Sequence, residues 1–348
     1  GQLGRSEEAI VVYDEVVARF GSASELPLRE RVARALVNKG IRLGQLGRSE
    51  EAIVVYDEVV ARLGSASELP LREALARALV NKGIMLDKLG WSEKEIAVYD
   101  ELVARFGSAS ELPLRQRAAR ALVSKGIALG QLGRSEEEVV VYDEVVTRFG
   151  SASELLLREQ VVMALLNKGI TLGQLGRSEE EVVVYDEVVA RFGSASELPL
   201  REQVATALLN KGITLGQLGR SEEEVALYDE LVARFDSASE LPLREQVVTA
   251  LLNKGVALGQ LGRSEEEVAV YDQVVARFGS ASELPLRKRV AGALVNKGIA
   301  LGQLGRSEEE VAVYDQVVAR FGSASELPLR KRVARALIKK GDTLGQLG

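Results

Sequence analysis

The sequence contains no cysteine and no histidine, and its 348 residues include only seven prolines and one tryptophan. Without cysteine and histidine, the chain has no disulfide, no thiolate nucleophile and no zinc site of the usual kind. A Ser-His-Asp or Cys-His catalytic arrangement is excluded for the same reason. No apolar run approaches the roughly 18 residues that a membrane-spanning helix requires. These absences argue against an enzyme, a cofactor and a membrane partner.

The charge balance is mildly acidic, with 45 Lys and Arg against 51 Asp and Glu and a net charge of −6. A protein that neutralises phosphates needs an excess of basic side chains, so we expect no nucleic-acid partner. Hydrophobic residues make up 46% and charged residues 28% of the chain, which is typical of a folded, water-soluble protein. We expect a cytoplasmic location.

The dominant feature is an internal repeat, because the stretch Ala35 to Asp57 recurs along the whole chain. Its glycines return every 43 residues, at Gly40, Gly83, Gly126, Gly169, Gly212, Gly255, Gly298 and Gly341. In a repeat array each unit packs only on its neighbours, so the chain length sets the number of units. The sequence therefore predicts a single domain over residues 1–348, with eight repeats.

Each repeat contains two helical patterns, which we call helix A and helix B. Helix A is expected over about Glu25 to Leu46, with its end at Gly47, and helix B over about 15 residues from a serine N-cap such as Ser49. Helix B is expected to end at a left-handed glycine such as Gly21. From the third repeat onward, Ser and Glu stand three residues apart, which predicts a capping box. The chain would then begin within the end of a helix A, open its first helix B at Ser6, and end with an uncapped helix A.

The pattern of small and apolar residues resembles the tetratricopeptide repeat (TPR). The positions that carry the resemblance in the second unit are Leu36, Gly40, Leu43, Gly47, Ala52 and Tyr56. The resemblance implies an all-α fold: a right-handed superhelical solenoid of two-helix TPR-like repeats. Two features depart from it, because the period is 43 where the family has 34, and Glu replaces the helix B alanine in six units. A HEAT-like solenoid fits the period but explains the glycines less well.

In TPR proteins one place on helix A faces the concave surface, and similar asparagines there bond the backbone of a ligand. The resemblance therefore implies a ligand-binding ladder on the concave face, since an amide offers the donors and acceptors that an extended backbone needs. The predicted ladder residues are Asn38, Asn81, Asn167, Asn210, Asn253 and Asn296. The alternative is that these side chains bond a local backbone carbonyl or are merely solvated.

Differences between the nearly identical repeats indicate further candidate residues for a ligand-recognition surface. Positions 30, 34, 38 and 42 and their equivalents are predicted to form one stripe of helix A, because they are four residues apart. Position 34 varies as Arg34, Arg77, Arg120, Met163, Thr206, Thr249, Gly292 and Arg335, and position 42 varies as well. The last helix A is also strongly basic, which favours an acidic partner at the ends of the array. The alternative for both observations is drift on a solvated surface. The tyrosines of the Tyr13 series are expected in the core.

The sequence is compatible with three functions. The first is a non-catalytic scaffold that binds a protein or an extended peptide in the concave groove of the A helices. The second is a ligand-sensing array cut from a larger signalling protein, such as an immune-type ATPase receptor. The third is a structural or engineered array without a ligand. The complementary ends, an unpaired helix B around Ile10 and an unpaired helix A around Leu344, further predict head-to-tail self-association.

Overall fold

The computed structural model describes residues 2–347, and every regular element in that range is an α-helix. The helices alternate between the two types. The B helices are α1 Gln2–Phe20, α3 Ser49–Leu63, α5 Ser92–Phe106, α7 Ser135–Phe149, α9 Ser178–Phe192, α11 Ser221–Phe235, α13 Ser264–Phe278 and α15 Ser307–Phe321. The A helices are α2 Leu26–Gln45, α4 Leu69–Lys88, α6 Leu112–Gln131, α8 Leu155–Gln174, α10 Leu198–Gln217, α12 Leu241–Gln260, α14 Leu284–Gln303 and α16 Leu327–Leu347.

The helices divide after Leu175 into two compact units, α1–α8 and α9–α16. Within each unit, every helix packs on the next one along the chain, and each A helix also packs on the A helix of the following repeat. The backbones of successive B helices stay farther apart in the part of the chain that the structure describes. The A helices therefore form the closely spaced row of each unit. The all-α solenoid of two-helix repeats is confirmed, while the prediction of one domain over residues 1–348 stays a prediction.

The turn from helix A to helix B is fixed by a glycine in the left-handed region. Gly47 has φ +79°, its N–H donates to the carbonyl of Gly44, and the N–H of Arg48 donates to the carbonyl of Leu43 at 2.9 Å. This is the Schellman arrangement, which satisfies the last carbonyls of helix A. Six further glycines, one per repeat, have the same positive φ: Gly90, Gly133, Gly176, Gly219, Gly262 and Gly305. The predicted end of helix A at Gly47 is confirmed.

The prediction for the end of helix B is wrong. Gly64, the C-cap of α3, has φ −57°, and Gly21 is not among the glycines with positive φ. The backbone there stays right-handed because other donors satisfy its carbonyls. The N–H of Gly21 donates to the carbonyl of Val17 at 2.8 Å, and Nη1 of Arg62 on the next B helix donates to the carbonyl of Gly21 at 2.8 Å.

The predicted capping box is also absent. Helix α5 begins at Ser92 without a side-chain cap, and the N–H of Glu95 donates to the carbonyl of Trp91. The glutamate side chains turn inward instead, as shown below. The first helix begins at Gln2 and not at Ser6.

Ion pairs between repeats tie neighbouring helices together at fixed sequence separations. Lys82 Nζ lies 2.5 Å from a carboxylate oxygen of Asp57 on the preceding helix B, and Arg29 Nη1 lies 2.7 Å from Glu68 in the next repeat. Equivalent pairs recur along the chain, for example Lys211 with Asp186. Each exposed pair contributes at most about 1 kcal/mol. Their regular recurrence favours one register of stacking over others.

The last A helix exposes apolar side chains that earlier A helices bury. Leu337, Ile338 and Leu344 of α16 are 50%, 65% and 48% exposed, whereas Leu294, at the place of Leu337 in α14, is 1% exposed. A helix that packed here would cover this surface. The head-to-tail contact with a second copy of the chain stays a prediction. Light scattering over a concentration series tests it.

The face of the A helices as a candidate binding site

The side chains at positions 34, 38, 41 and 45 of α2, with their equivalents in the other A helices, form one surface that we call the A face. Steps of four, three and four residues keep them within about 60° around the helix axis, since each residue turns about 100°. Position 41 is not among the positions that the sequence predicted for the site. It is an apolar column, partly exposed in every described repeat that carries it: Ile41, Ile84, Ile127, Ile170, Ile213, Val256 and Ile299.

The A helices α10 and α12 leave a groove between them on this face. The groove between α10 and α12 encloses about 370 Å³. Its apolar walls are Ile213 and Val256, which are 45% and 46% exposed. Asn253, Gln217 and Gln260 supply amide groups, and Tyr228 and Glu224 of α11 complete the lining. The groove thus combines apolar walls with amide donors and acceptors, which is the composition of peptide and small-ligand sites.

All six predicted ladder asparagines lie half-buried on the A face. Asn253 Nδ2 lies 3.3 Å from the hydroxyl oxygen of Tyr228 on the preceding helix B and donates to it. The side chains of Asn81, Asn167, Asn210 and Asn296 lie beside the equivalent tyrosine hydroxyls, and Ser124 takes this place beside Tyr99. These five amides are therefore neither caps of a local carbonyl nor freely solvated. One side of each meets a tyrosine, and Asn253 also lines the groove.

Within a unit, a tyrosine joins helix B to the A helices before and after it, as Tyr228 does between α10 and α12. Seven of them, from Tyr56 to Tyr314, are almost completely buried, as predicted for core residues, while Tyr13 of α1 is half-buried. The ring of Tyr228 packs on Gly212, where an added Cβ would lie 2.5 Å from Cε1. Burial raises the pKa of every tyrosine from Tyr56 onward, to about 12 for Tyr56. The hydroxyls therefore stay protonated and able to donate.

Buried glutamates occupy the place where the TPR pattern has alanine. They are Glu95, Glu138, Glu181, Glu224, Glu267 and Glu310, each less than 9% exposed. In α7 and α15, the tyrosine one turn later donates its hydroxyl proton to the glutamate at 3.0 Å. Burial raises the pKa of Glu181, Glu224 and Glu267. In Glu95 burial raises the pKa to about 7, and the charge of nearby Asp87 adds to the effect.

A glycine on the preceding helix A provides the space for four of the glutamates, Glu138, Glu224, Glu267 and Glu310, whereas Asp87 stands at this place before Glu95. A Cβ added to Gly216 would lie 2.6 Å from Oε2 of Glu224, and the same holds at Gly130 for Glu138. In the second repeat, Ala52 stands at the glutamate position, and the side chain of Met85 fills the space beside Gly44. In these four repeats the replacement of alanine by glutamate therefore does not disturb the packing of A on B, because the small residue lies on the other helix.

The predicted stripe of positions 30, 34, 38 and 42 is wrong at its last member. Position 42 is buried in seven of its eight equivalents: Met85, Ala128, Thr171, Thr214, Ala257, Ala300 and Thr343. Three steps of four residues turn about 120° around a helix, which carries position 42 off the exposed face and into the packing between A helices. Position 34 does lie on the A face, and position 30 is half-buried in the first six repeats.

Two negative findings apply to residues 2–347. No three acidic side chains in this range are placed together so as to hold a metal ion. No helix in it combines the length and the apolar character needed to cross a membrane.

Comparisons with known proteins give a fold but no sequence relative. No protein-family model matches the chain, and no curated protein matches it in sequence. Among solved structures, the apo form of RapI is similar with a TM-score of 0.58 and 10% identity, over 99% of this chain and 94% of that one. A STAND (signal transduction ATPase with numerous domains) protein with a tetratricopeptide repeat sensor from Pyrococcus horikoshii has a TM-score of 0.51 and 12% identity. That match covers 97% of this chain and 52% of the other.

Proposed function

Because the chain has a TPR-like fold with extended 43-residue repeats, we propose that it is a non-catalytic scaffold that binds an extended peptide or protein segment along its A face. The observation that supports this most is the groove between α10 and α12, where exposed Ile213 and Val256 alternate with the amides of Asn253, Gln217 and Gln260. Exposed apolar columns of this kind are typical of interaction surfaces. The column repeats from one A helix to the next within each unit.

The spacing of the grooves suits an extended backbone. Packed helices lie about 8–10 Å apart, and an extended strand advances about 3.3 Å per residue, so each A helix meets about every third ligand residue. The asparagine amide then bonds the ligand backbone with the group that the tyrosine leaves free, and the isoleucine column contacts ligand side chains. In this proposal all six asparagines bind the ligand, and the five that lie beside a tyrosine also hold the neighbouring repeat.

The experiment compares two substitutions of the same asparagines. A phage-displayed library of random dodecapeptides is selected on the full chain, and enriched peptides are measured by fluorescence anisotropy. In the binding variant, Asn210, Asn253 and Asn296 are all changed to Ala. We expect at least a tenfold loss of affinity, since each lost hydrogen bond to a ligand contributes about 0.5–1.5 kcal/mol.

The matched variant changes the same three residues to Ser, the residue that the chain itself carries at Ser124. Serine keeps a hydroxyl for the tyrosine but lacks the amide, so stability should stay near wild type while peptide binding still falls. If neither variant weakens the enriched peptides, the A face is not the binding surface. If only the alanine variant loses binding, and in proportion to its loss of stability, the asparagines are purely structural.

A second candidate is a sensor array within a larger signalling protein. The similarity to the STAND protein supports it, because nearly all of this chain aligns with about half of a protein that carries a tetratricopeptide repeat sensor. The two candidates share the same binding face. A nucleotide-binding domain in the same gene would favour the sensor, and its absence from the full gene would favour the free-standing scaffold.

A further inference from the structure

The basic side chains of this acidic protein fall into two classes. Most arginines pair with a carboxylate: Arg72 lies 2.5 Å from Glu111, and Arg115 lies 3.2 Å from Glu154. These pairs lie on α4 and α6 and recur along the chain. On the A face of the same two helices, Arg77 and Arg120 form no ion pair with any described residue, and neither does Arg117, one turn before Arg120.

These three arginines repel one another. Burial lowers the pKa of the Arg117 guanidinium, the charges of Arg77 and Arg120 lower it further, and only Glu73 opposes them. Nε of Arg117 is buried and has no hydrogen-bond partner among the residues that the structure describes. A half-buried guanidinium with an unsatisfied donor and two like-charged neighbours is costly in the folded protein. An anion bound among the three would remove that cost.

The second unit contains a related arrangement, which shares two of the three positions. Arg332 and Arg335 of α16 stand at the places of Arg117 and Arg120, and Arg289 of α14 completes the cluster. Burial lowers the pKa of Arg332, and Arg335 and Arg289 add to the effect. The guanidinium of Arg332 lies over Gly292, where an added Cβ would lie 3.8 Å from Cζ. Both clusters use the positions of Arg117 and Arg120, but the third arginine differs, since Gly292 stands at the place of Arg77 and Ala74 at the place of Arg289.

The helices between these clusters carry neutral side chains at the equivalent places. They have Gln160, Gln203 and Gln246 where α6 has Arg117, and Met163, Thr206 and Thr249 where it has Arg120. In α12, Gln246 Nε2 donates to the hydroxyl of Thr206 at 3.2 Å. The repeat therefore tolerates an uncharged, hydrogen-bonded pair in these positions, and the fold does not require the arginines.

We propose that the arginine cluster Arg77, Arg117 and Arg120 is an anion subsite that binds side-chain carboxylates of an acidic peptide segment. Guanidinium groups bind carboxylates in bidentate pairs, and partial burial strengthens such pairs. The cluster Arg289, Arg332 and Arg335 takes a second acidic stretch in the same way. This inference rests on the proposed function for the peptide nature of the ligand, while the anion site itself rests on the unpaired arginines.

The test uses the full chain and a probe of known chemistry, a hexaglutamate peptide, with hexaglutamine as its uncharged counterpart. The variant combines Arg77→Thr, Arg117→Gln and Arg120→Thr, which gives α4 and α6 the residues found in α10 and α12. At fixed ionic strength, we expect hexaglutamate to bind wild type and to lose at least tenfold in affinity for the variant, measured by titration calorimetry. Hexaglutamine should bind neither.

A charge-matched control removes three arginines from the B helices of the same unit: Arg19→Gln, Arg62→Gln and Arg105→Gln. Each of these pairs with a glutamate four residues earlier in its own helix. The control has the same net charge as the cluster variant and should bind hexaglutamate within twofold of wild type. Equal losses in the two variants would show that overall charge, and not this site, attracts the peptide.

Stability gives a second readout. Without ligand, the cluster variant should melt at the same temperature as wild type or higher, because a repulsive cluster is removed. A lower melting temperature would give the arginines a structural role and overturn the proposal. Sodium sulfate tests the other source of anions: if it displaces hexaglutamate and binds as tightly, the cluster takes a free anion and not a peptide.

The binding experiments can support the anion subsite and the peptide groove independently of each other. Library peptides that bind through the asparagines but carry no acidic residues would support the function and overturn the anion subsite. Hexaglutamate binding that depends on the arginines but not on the asparagines would support the subsite and leave the peptide groove without support.

Discussion

Replacing Gly212 with alanine should lower the free energy of unfolding by about 1–3 kcal/mol, although alanine is the better helix former. The added Cβ would lie 2.5 Å from Cε1 and 2.6 Å from Cζ of Tyr228. That ring is completely buried and its hydroxyl accepts a hydrogen bond from Asn253, so it has little freedom to move away. The overpacking should exceed the gain in helix propensity. Urea denaturation followed by circular dichroism measures the change.

The chain contains a matched control for this substitution. Gly341 stands at the same place in α16, but no atom lies within 4 Å of an added Cβ there. Alanine at Gly341 should raise the free energy of unfolding by about 0.5–1 kcal/mol, through helix propensity alone. The two alanine substitutions are therefore expected to change the free energy of unfolding in opposite directions. A stabilising effect at both would show that the tyrosine does not depend on the glycine for its place.

Glu95→Gln should stabilise the protein by about 1–3 kcal/mol at pH 8 and have little effect at pH 4.5. The pKa of Glu95 is raised from 4.5 to about 7 by burial and by Asp87. The pKa of Glu95 is higher in the folded than in the unfolded protein. Wild type therefore has its full free energy of unfolding below about pH 4.5 and loses part of it as the pH rises to about 7. A full shift of this size corresponds to about 3 kcal/mol, and solvent screening reduces it.

Asp87→Gly serves as the second arm of this experiment, because glycine is the residue at this place in the second and fourth repeats. It removes the neighbouring charge but leaves Glu95 buried, so the pH dependence of stability should shrink without disappearing. The measurement is urea denaturation from pH 4.5 to 8. If the glutamine variant is stabilised equally at both ends of the range, the carboxyl of Glu95 does not titrate in it.

The sequence predicted a helix boundary well where the backbone conformation at that boundary requires one residue type. Gly47 is needed in the left-handed region, and Pro27 fits the first turn of α2, so helix A was placed to within one residue. The serine and glutamate of helix B misled the prediction, because their spacing also fits a capping box. Whether Glu138 turns to its own backbone or toward Tyr142 depends on the space beside Gly130, which only packing shows.

The candidate site was predicted only in part for a similar reason. The asparagines were found through the family resemblance, and the structure places them on the expected helix. Their contact with tyrosines 25 residues earlier, and the unpaired state of Arg117, depend on which helices become neighbours. The isoleucine column had a signal in the sequence, because Ile41 follows Asn38 by three residues and recurs in six further repeats as isoleucine or valine.

The most direct measurement of binding on the A face uses the isoleucine methyl groups. The chain has only ten isoleucines, and six of them, including Ile127 and Ile213, belong to the A-face column. Ile53 and Ile96 lie buried on B helices and serve as internal references. In methyl-labelled NMR spectra, a peptide selected from the library should shift the signals of the A-face isoleucines and leave Ile53 and Ile96 unchanged. Shifts confined to the B-helix isoleucines would contradict binding on the A face.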